Sequence, residues 1–242
     1  MREATITLLL LFFIAIPVSA QAPPKTVLDV VYSDAQARRG QTAYTTLCAA
    51  CHGTMMEGVS APALTDRRFT ERWREGSLAG IYNFIKQRMP FGRPQNAPRI
   101  PDSDYLDILT YVLKMNDYPS GSAELTPPLL DEVLFVGKNG PQPVPDGALV
   151  VTVGCLSQTP DGVWILSAAT DPTRAEVKNS ARKNSGTLTF RLTDIDAVPD
   201  FEPEAHQGHK MQAKGYLTRQ PNAERIGLTA IDMVESTCSR QQ

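Results

Sequence analysis

The sequence predicts a mainly α-helical domain followed by a small all-β domain. In the first half, apolar residues recur at intervals of three and four, which is the spacing of amphipathic helices. From residue 148 onwards, apolar and polar residues alternate, which is typical of strands with one buried face. Residues 119–147, rich in proline and glycine, separate the two patterns. We therefore expect a helical domain over residues 30–118, a linker over 119–147 and a β domain over 148–242.

The first 20 residues have the pattern of a secretory signal peptide. Arg2 precedes an apolar run over residues 8–16, and the small residues Ser19 and Ala20 form a cleavage site. The run is shorter than a bilayer-spanning helix, which needs about 20 apolar residues. We expect cleavage after Ala20 and export, to the periplasm or beyond. In the alternative, the segment stays uncleaved and anchors the chain in a membrane.

The first helix of the mature chain is expected to begin at Ser33 or Asp34, either of which can cap its N-terminus. Gly40, Tyr44 and Cys48 are spaced four apart and so share one helical face. Because Gly40 has no side chain, another helix can approach closely at that point.

A second strong helix is expected over residues 102–115, directly after Pro101, with acidic residues in its first turn. Its apolar stripe consists of Leu106, Ile108, Leu109, Val112 and Leu113. Two shorter helices are expected between these two, near residues 70–73 and 77–87.

The most informative motif is Cys-Ala-Ala-Cys-His at residues 48–52. A Cys-x-x-Cys-His run is the attachment motif of c-type haem: Cys48 and Cys51 form thioethers and His52 ligates the iron. A zinc site would need a second pair of ligands, and Cys155 and Cys238 are distant and single. A thioredoxin-like dithiol belongs in a βαβ context, which is absent around this motif. The single motif predicts one covalent haem c.

The spacing of Gly40, Tyr44 and the haem motif, followed by Met89-Pro90 and a final aromatic-bearing helix, resembles that of a class I cytochrome c. The resemblance covers about residues 30–118. It implies that Met89, in a loop rich in proline and glycine, is the second axial ligand of the iron. Other methionines are Met55, Met56 and Met115; the first two follow His52 too closely to reach the opposite face, and the last belongs to a helical stripe.

The segment Ser60-Ala61-Pro62-Ala63-Leu64 resembles the part of the same family in which a proline carbonyl accepts the N–H of the haem-ligating histidine. This resemblance implies that Pro62 orients His52, since such a hydrogen bond fixes the tautomer and the ring orientation. The alternative is an ordinary turn proline.

The distribution of charged residues along the chain indicates which kind of partner surface it could bind. The net charge is −2, but residues 21–120 carry 12 Lys and Arg against 10 Asp and Glu, whereas residues 121–242 carry 11 against 15. Eight basic residues follow the haem motif: Arg67, Arg68, Arg72, Arg74, Lys86, Arg88, Arg93 and Arg99. We expect a basic collar that steers an acidic redox partner towards the Met89 side. The alternative is that these side chains are solvated or pair with the haem propionates.

In the β domain, strands are expected over residues 149–155, 163–166, 187–192, 209–217 and 225–234, with Leu149, Val151, Val153 and Cys155 on one face. A helix is expected near 195–206, and 171–182 is expected to be a helix or a loop. Five short strands with an interposed helix indicate a small barrel, and Gly154-Cys155-Leu156, Gly208-His209-Lys210 and Lys214-Gly215 loosely resemble OB-fold-like domains of exported bacterial proteins.

Two pairs of side chains in the β domain are candidates for a disulfide and for a metal site. Cys155 in the first strand and Cys238 after the last lie where a barrel closes, so we expect a disulfide rather than two free thiols. His206 and His209 lack a nearby third ligand, so stabilisation of a turn is favoured over metal binding.

These features favour an exported monohaem cytochrome that transfers single electrons and is not itself an enzyme. The expected partner is a redox protein such as a dehydrogenase or a terminal oxidase; no nucleic acid is expected, and a membrane only if the signal segment is uncleaved. The alternative is the electron-accepting cytochrome subunit of a quinoprotein (PQQ-type) dehydrogenase. A haem sensor or peroxidase is a third hypothesis, which requires an open axial position or a second haem.

Overall fold

The computed structural model describes residues 24–94, 96–176, 186–220 and 224–238, so the predicted signal peptide lies outside the described residues. The N-terminal half of the described chain is helical. Its helices are α1 (Asp34–Leu47), α2 (Ala49–His52), α3 (Arg67–Trp73), α4 (Leu78–Arg88) and α5 (Asp102–Met115). The helices predicted at 33–47, 77–87 and 102–115 are confirmed, and α3 begins three residues before its predicted start.

The starts of α1 and α5 follow from their local sequence. The Ser33 side chain accepts a hydrogen bond from the Gln36 amide over 3.1 Å, so Ser33 rather than Asp34 is the N-cap of α1. Pro101 precedes α5, and Asp102 and Asp104 lie in its first turn, where negative charge is favoured by the helix dipole.

Helices α1 and α5 pack directly on each other at Gly40. A Cβ atom at this position would lie 1.9 Å from the carbonyl oxygen of Asp107, so only glycine permits this approach. Beside it, the rings of Tyr44 and Tyr111 meet edge to face at 5.4 Å. Arg39 spans the same contact, with its Nε 2.8 Å from a carboxylate oxygen of Asp107. The close approach expected from Gly40 is therefore present.

The segment predicted as a linker is largely part of the helical domain. Leu125, Leu130, Val133, Phe135 and Val136 are buried in the same hydrophobic cluster as α1 and α5. The Gln36 side chain bonds both the N–H and the carbonyl of Leu125 at 2.8 and 2.9 Å. Two short strands, β1 (Gly76–Ser77) and β2 (Leu134–Phe135), pair antiparallel. Residues 125–136 of the expected linker thus pack against the helices.

The C-terminal half is a sheet-rich region with a hydrophobic cluster of its own. Its strands are β3 (Leu149–Gln158), β4 (Trp164–Ala169), β5 (Thr173–Arg174), β6 (Leu188–Thr193), β7 (Lys210–Thr218) and β8 (Arg225–Glu235). Their order is β4-β6-β8-β7-β3-β5, and β4 also pairs with β3. All pairings are antiparallel except that of β6 with β8.

Three details of this region differ from the prediction. The helix expected near 195–206 is replaced by two short 3-10 turns, Ile195–Ala197 and Pro203–His206. Part of the segment 171–182, expected to be a helix or a loop, forms β5, and residues 177–182 lie outside the described residues. On β3, Val150 and Leu156 join the cluster rather than the expected Val151 and Val153, which are nevertheless buried. Because β3 is buried on both sides, alternation did not identify its core face.

Cys155 and Cys238 form the predicted disulfide, with their Cα atoms 5.6 Å apart. Nearby, the Nδ1 atoms of His206 and His209 lie 3.3 Å apart, and Phe201 stacks on the His206 ring at 5.1 Å. Among the residues that the structure describes, no group of three or more His, Cys, Asp or Glu side chains could hold a metal ion. The His209 N–H also donates to the carbonyl of His206 at 3.0 Å, so the two histidines face each other across one backbone turn.

The two halves contact each other through Arg174 of β5. Its guanidinium donates to the carbonyl oxygens of Arg74 at 2.7 Å and Glu71 at 3.3 Å, at the C-terminal end of α3. Cations are favoured at that end of a helix. None of the helices in the described ranges is long and apolar enough to cross a membrane.

Candidate haem-binding site

The three residues of the haem motif are brought together by the single turn α2. Cys48 ends α1 by donating its N–H to the carbonyl of Tyr44 at 2.8 Å, and its own carbonyl accepts from the amides of Cys51 and His52 at 3.1 and 3.0 Å. Cysteines three residues apart in a helical turn lie on the same face. Both are free thiols, with Cys51 exposed and Cys48 partly buried.

The loop after His52 folds back on the motif through backbone hydrogen bonds. The carbonyl of Cys51 accepts from the amides of Val59, Ser60 and Ala61 at 3.0–3.1 Å, and that of His52 accepts from Gly58 at 2.8 Å. The buried Tyr44 hydroxyl donates to the Gly53 carbonyl at 2.7 Å. These bonds fix the position of the chain on both sides of His52.

This folded loop places Pro62 against His52. The Nδ1 atom of His52 lies 2.8 Å from the carbonyl oxygen of Pro62. A carbonyl can only accept, so Nδ1 carries the proton in the neutral ring and Nε2 has a free lone pair for a metal.

The thiols differ from those of a catalytic dithiol. Burial, together with the neighbouring Cys51, raises the pKa of Cys48 to about 11. Reactive Cys-x-x-Cys pairs have a lowered pKa, because the thiolate is the nucleophile. The environment of Cys48 therefore does not favour disulfide exchange.

Met89 is the residue directly after α4 and opens the segment that connects α4 to α5. Its N–H donates to the carbonyl of Ile85 at 3.0 Å, and its carbonyl accepts from the hydroxyl of Tyr105 at 3.0 Å. Tyr105 lies in the first turn of α5. Its hydroxyl thus joins α5 to the start of the Met89 segment.

The other methionines considered as ligands lie in different surroundings. Met56 is fully buried in the core of the helical domain, Met115 packs against the same core from α5, and Met55 is two-thirds exposed. Trp73 and Phe84 pack edge to face at 5.3 Å.

The predicted basic collar is reduced by internal contacts. Four of its members are engaged within the domain: Arg72 lies over the Trp73 and Phe84 rings, Arg74 pairs with Glu71, and Lys86 and Arg99 share Asp102. Within the described ranges, Arg67, Arg68, Arg88 and Arg93 have no ion pair. Two of these, Arg88 and Arg93, flank the exposed Phe91 in the segment that Met89 begins.

The hydroxyls of two tyrosines of the site could not be assigned from the sequence. The sequence predicts a packing role for Tyr44 and no role for Tyr105. A signal existed, since Tyr105 precedes Ile108, Leu109 and Val112 by helical spacing and so belongs to the buried stripe. A buried tyrosine hydroxyl normally finds a hydrogen-bond partner, and here the two partners are the carbonyls of Gly53 and Met89.

The helical half of the chain matches a known protein family. Residues 35–112 match the family described as cytochrome c oxidase, cbb3-type, subunit III. No curated protein matches. A chain in the crystal structure of the sulfane dehydrogenase SoxCD from Paracoccus pantotrophus aligns at 21% identity and a TM-score of 0.30. That alignment covers 46% of this chain and 60% of that one, and with such a score it carries no conclusion about function.

Residues 35–112 are thus a cytochrome c family domain, and such a domain implies a covalently bound haem c. The donor set fits this group. Two free thiols stand on one helical turn, the adjacent imidazole has Nε2 available, and a methionine follows in a separate segment. The family match covers about a third of the chain, so the C-terminal half is described from its own structure alone.

Proposed function

We propose that this chain is an exported cytochrome with one covalent haem c that transfers single electrons between redox partners. The observation that carries the proposal is the 2.8 Å contact between His52 Nδ1 and the Pro62 carbonyl, directly after two free thiols in a family-matched domain. An iron-ligating histidine requires a fixed ring and a free Nε2 atom, and the contact of Nδ1 with the Pro62 carbonyl provides both. A histidine with a purely structural role in a loop does not require this contact.

The residues of the site then have separate roles. Cys48 and Cys51 hold the haem covalently, and Pro62 orients the ring of His52 so that Nε2 is the ligating atom. Haem with His and Met ligands supplies a one-electron couple at raised reduction potential. Met89 would hold the iron as the second ligand, and a haem held by both residues would favour electron transfer over reaction with a bound substrate.

The experiment that tests this assignment is Met89→Ala in the haem-loaded protein. We expect the haem to remain covalently attached, the far-red Met–Fe(III) absorption band to disappear and the reduction potential to fall. The variant should bind carbon monoxide readily, because a coordination position opens. Met55→Ala is the matched control and should leave spectrum and potential unchanged. An unchanged spectrum in Met89→Ala would exclude Met89 as the ligand and return the question to Met55, Met56 and Met115.

For the partner, we propose a redox protein with an acidic surface, such as a dehydrogenase or a terminal oxidase. Arg88 and Arg93 have no ion pair among the described residues and flank Phe91, which is 92% exposed. Charges of this kind act mainly on the association rate and are screened by salt. Electron transfer to an acidic partner should therefore slow with ionic strength, and more steeply in the wild type than in Arg88→Gln/Arg93→Gln.

For the C-terminal region, we propose a small OB-like barrel. The ring of pairings β3-β4-β6-β8-β7-β3 supports this, because each of its five strands has two neighbours. By the extent of the two hydrophobic clusters, we propose domains from about residue 26 to 136 and from about 144 to 238.

Export is supported by the signal-like sequence of residues 1–20 and by the disulfide between Cys155 and Cys238, which suits an oxidising compartment. Covalent haem attachment outside the cytoplasm agrees with both. Processing after Ala20 is tested by sequencing the N-terminus of the mature protein, which should begin at Gln21.

A further inference from the structure

The segment that begins with Met89 has few structural constraints of its own. Residues 89–101 form no helix or strand in their described part, and they contain four prolines and a glycine. Met89 itself has an extended backbone, with φ −122° and ψ 148°, and follows the last turn of α4. An axial ligand on such a segment can detach from iron if its backbone moves.

The Met89 N–H donates to the carbonyl of Ile85 in α4 at 3.0 Å, and one side chain from α5 bonds the Met89 carbonyl. The Tyr105 hydroxyl donates to the Met89 carbonyl at 3.0 Å, and the Tyr105 ring is only 7% exposed. α5 is in turn anchored to α1 by the glycine contact at Gly40. The Tyr105 hydroxyl therefore connects the packed helices α1 and α5 to Met89, the residue proposed as the second ligand.

We propose that Tyr105 is a positioning residue for Met89: its hydroxyl fixes the Met89 backbone and thereby keeps the thioether on the iron. This inference rests on the proposed function of Met89. The hydroxyl does not touch the iron, so its effect is on the equilibrium between the Met-bound and Met-free states.

The test is Tyr105→Phe in the full-length, haem-loaded protein, which removes one oxygen atom and retains the buried ring. The matched control is Tyr82→Phe. Tyr82 also joins α4 to α5, but its hydroxyl donates at 3.4 Å to the Asp102 carbonyl and not to Met89. The measurements are the far-red Met–Fe(III) band, the reduction potential and the rate of carbon monoxide binding to the reduced protein.

We expect Tyr105→Phe to raise the population of the Met-free state about fivefold, the equivalent of the ~1 kcal/mol contributed by one hydrogen bond. Carbon monoxide binding, which needs that state, should accelerate by the same factor, and the potential should fall. Tyr82→Phe should behave as the wild type. Para-aminophenylalanine at position 105 retains a hydrogen-bond donor at the same place and should bind carbon monoxide as slowly as the wild type. This second variant tests the proposal even if Tyr105→Phe folds poorly.

Two outcomes separate this inference from the function on which it rests. If Met89→Ala opens the coordination position but Tyr105→Phe binds carbon monoxide as slowly as the wild type, Tyr105 has no positioning role and the axial assignment stands. If Met89→Ala changes nothing, the axial assignment itself is wrong, and the inference about Tyr105 is wrong with it.

Discussion

The Nδ1 atom of His52 lies 2.8 Å from the carbonyl oxygen of Pro62. Ten residues separate the two in the chain, and the loop between them is held by amide hydrogen bonds to the carbonyls of Cys51 and His52. The imidazole is therefore oriented by the backbone of its own loop. Since this contact fixes the ring orientation and the tautomer, the geometry favours ligation through Nε2.

The contact between α1 and α5 leads to a prediction about Gly40. We expect Gly40→Ala to destabilise the protein by about 2 kcal/mol or more, because the added methyl would overlap the Asp107 carbonyl and force the helices apart. The measurement is the free energy of unfolding in urea.

Gly80→Ala in α4 is the control for that prediction. There the nearest atom to the new methyl is Glu176 Cγ at 3.3 Å, which belongs to a flexible side chain, and alanine favours a helix over glycine by about 1 kcal/mol. We expect Gly80→Ala to be neutral or stabilising. Equal effects of the two substitutions would show that the α1–α5 approach is not the constraint that Gly40 satisfies.

The helical domain could be predicted well because its signals are local. The spacing of Gly40 and Tyr44, the capping serine at 33 and the apolar stripe of 102–115 each act within one or two helical turns. The partners of the buried polar groups could not be predicted. Gln36 bonds Leu125, and Arg174 bonds the end of α3, across 89 and 100 residues respectively. Such contacts depend on the tertiary arrangement, so the composition of residues 119–147 predicts a linker but does not reveal that residues 125–136 pack against the helices.

The second prediction concerns the C-terminal region as a folding unit. Its hydrophobic cluster runs from Val144 to Ile231 and shares no buried residue with the first cluster. A fragment that starts before Val144 should fold as a colourless, β-rich protein under oxidising conditions. Circular dichroism and analytical gel filtration measure this.

The disulfide should contribute much of the stability of that fragment. Cys155 and Cys238 are 83 residues apart, and closing a loop of this length implies about 4 kcal/mol in the chain-entropy model. Reduction, or Cys155→Ala/Cys238→Ala, should lower the unfolding midpoint accordingly. Two titratable thiols in the denatured, unreduced fragment would contradict the bridge.

The third prediction concerns the pH dependence of stability through Glu75. Burial raises the pKa of this carboxyl above its ordinary value, although the Gln142 amide and the charges of Arg74 and Arg174 oppose the shift. The folded state therefore holds this proton more tightly than the unfolded chain. Its contribution to stability is present below the ordinary pKa and is lost as the pH rises through the folded value.

Glu75→Gln removes this dependence. The glutamine oxygen can still accept from the Gln142 amide, which lies 2.9 Å from the carboxylate, while the cost of burying a charge is gone. We expect the variant to be at least as stable as the wild type at pH 7 and to lose less stability between pH 4.5 and 7. Glu132→Gln, at an exposed position, is the control. If the free energy of unfolding of Glu75→Gln falls as steeply with pH as that of the wild type, another titratable group causes the pH dependence.

The haem motif could be predicted from five consecutive residues because its chemistry requires fixed spacing. The residues that position the proposed iron ligands could be predicted only in part. Pro62 is expected from the family resemblance, and its carbonyl oxygen lies 2.8 Å from His52 Nδ1. Tyr105 is a different case, since its helical position predicts burial, but the identity of its hydrogen-bond acceptor depends on how α5 meets the end of α4.

The intact mass of the denatured, exported protein tests whether Cys48 and Cys51 hold one haem covalently. We predict a mass equal to the chain from Gln21 plus one haem, with both thiols unavailable to alkylation. Cys48→Ala/Cys51→Ala should retain no haem after acid-acetone extraction. A wild-type protein with the mass of the bare polypeptide and two alkylatable thiols at Cys48 and Cys51, purified from cells that attach haem to other cytochromes, would contradict the account.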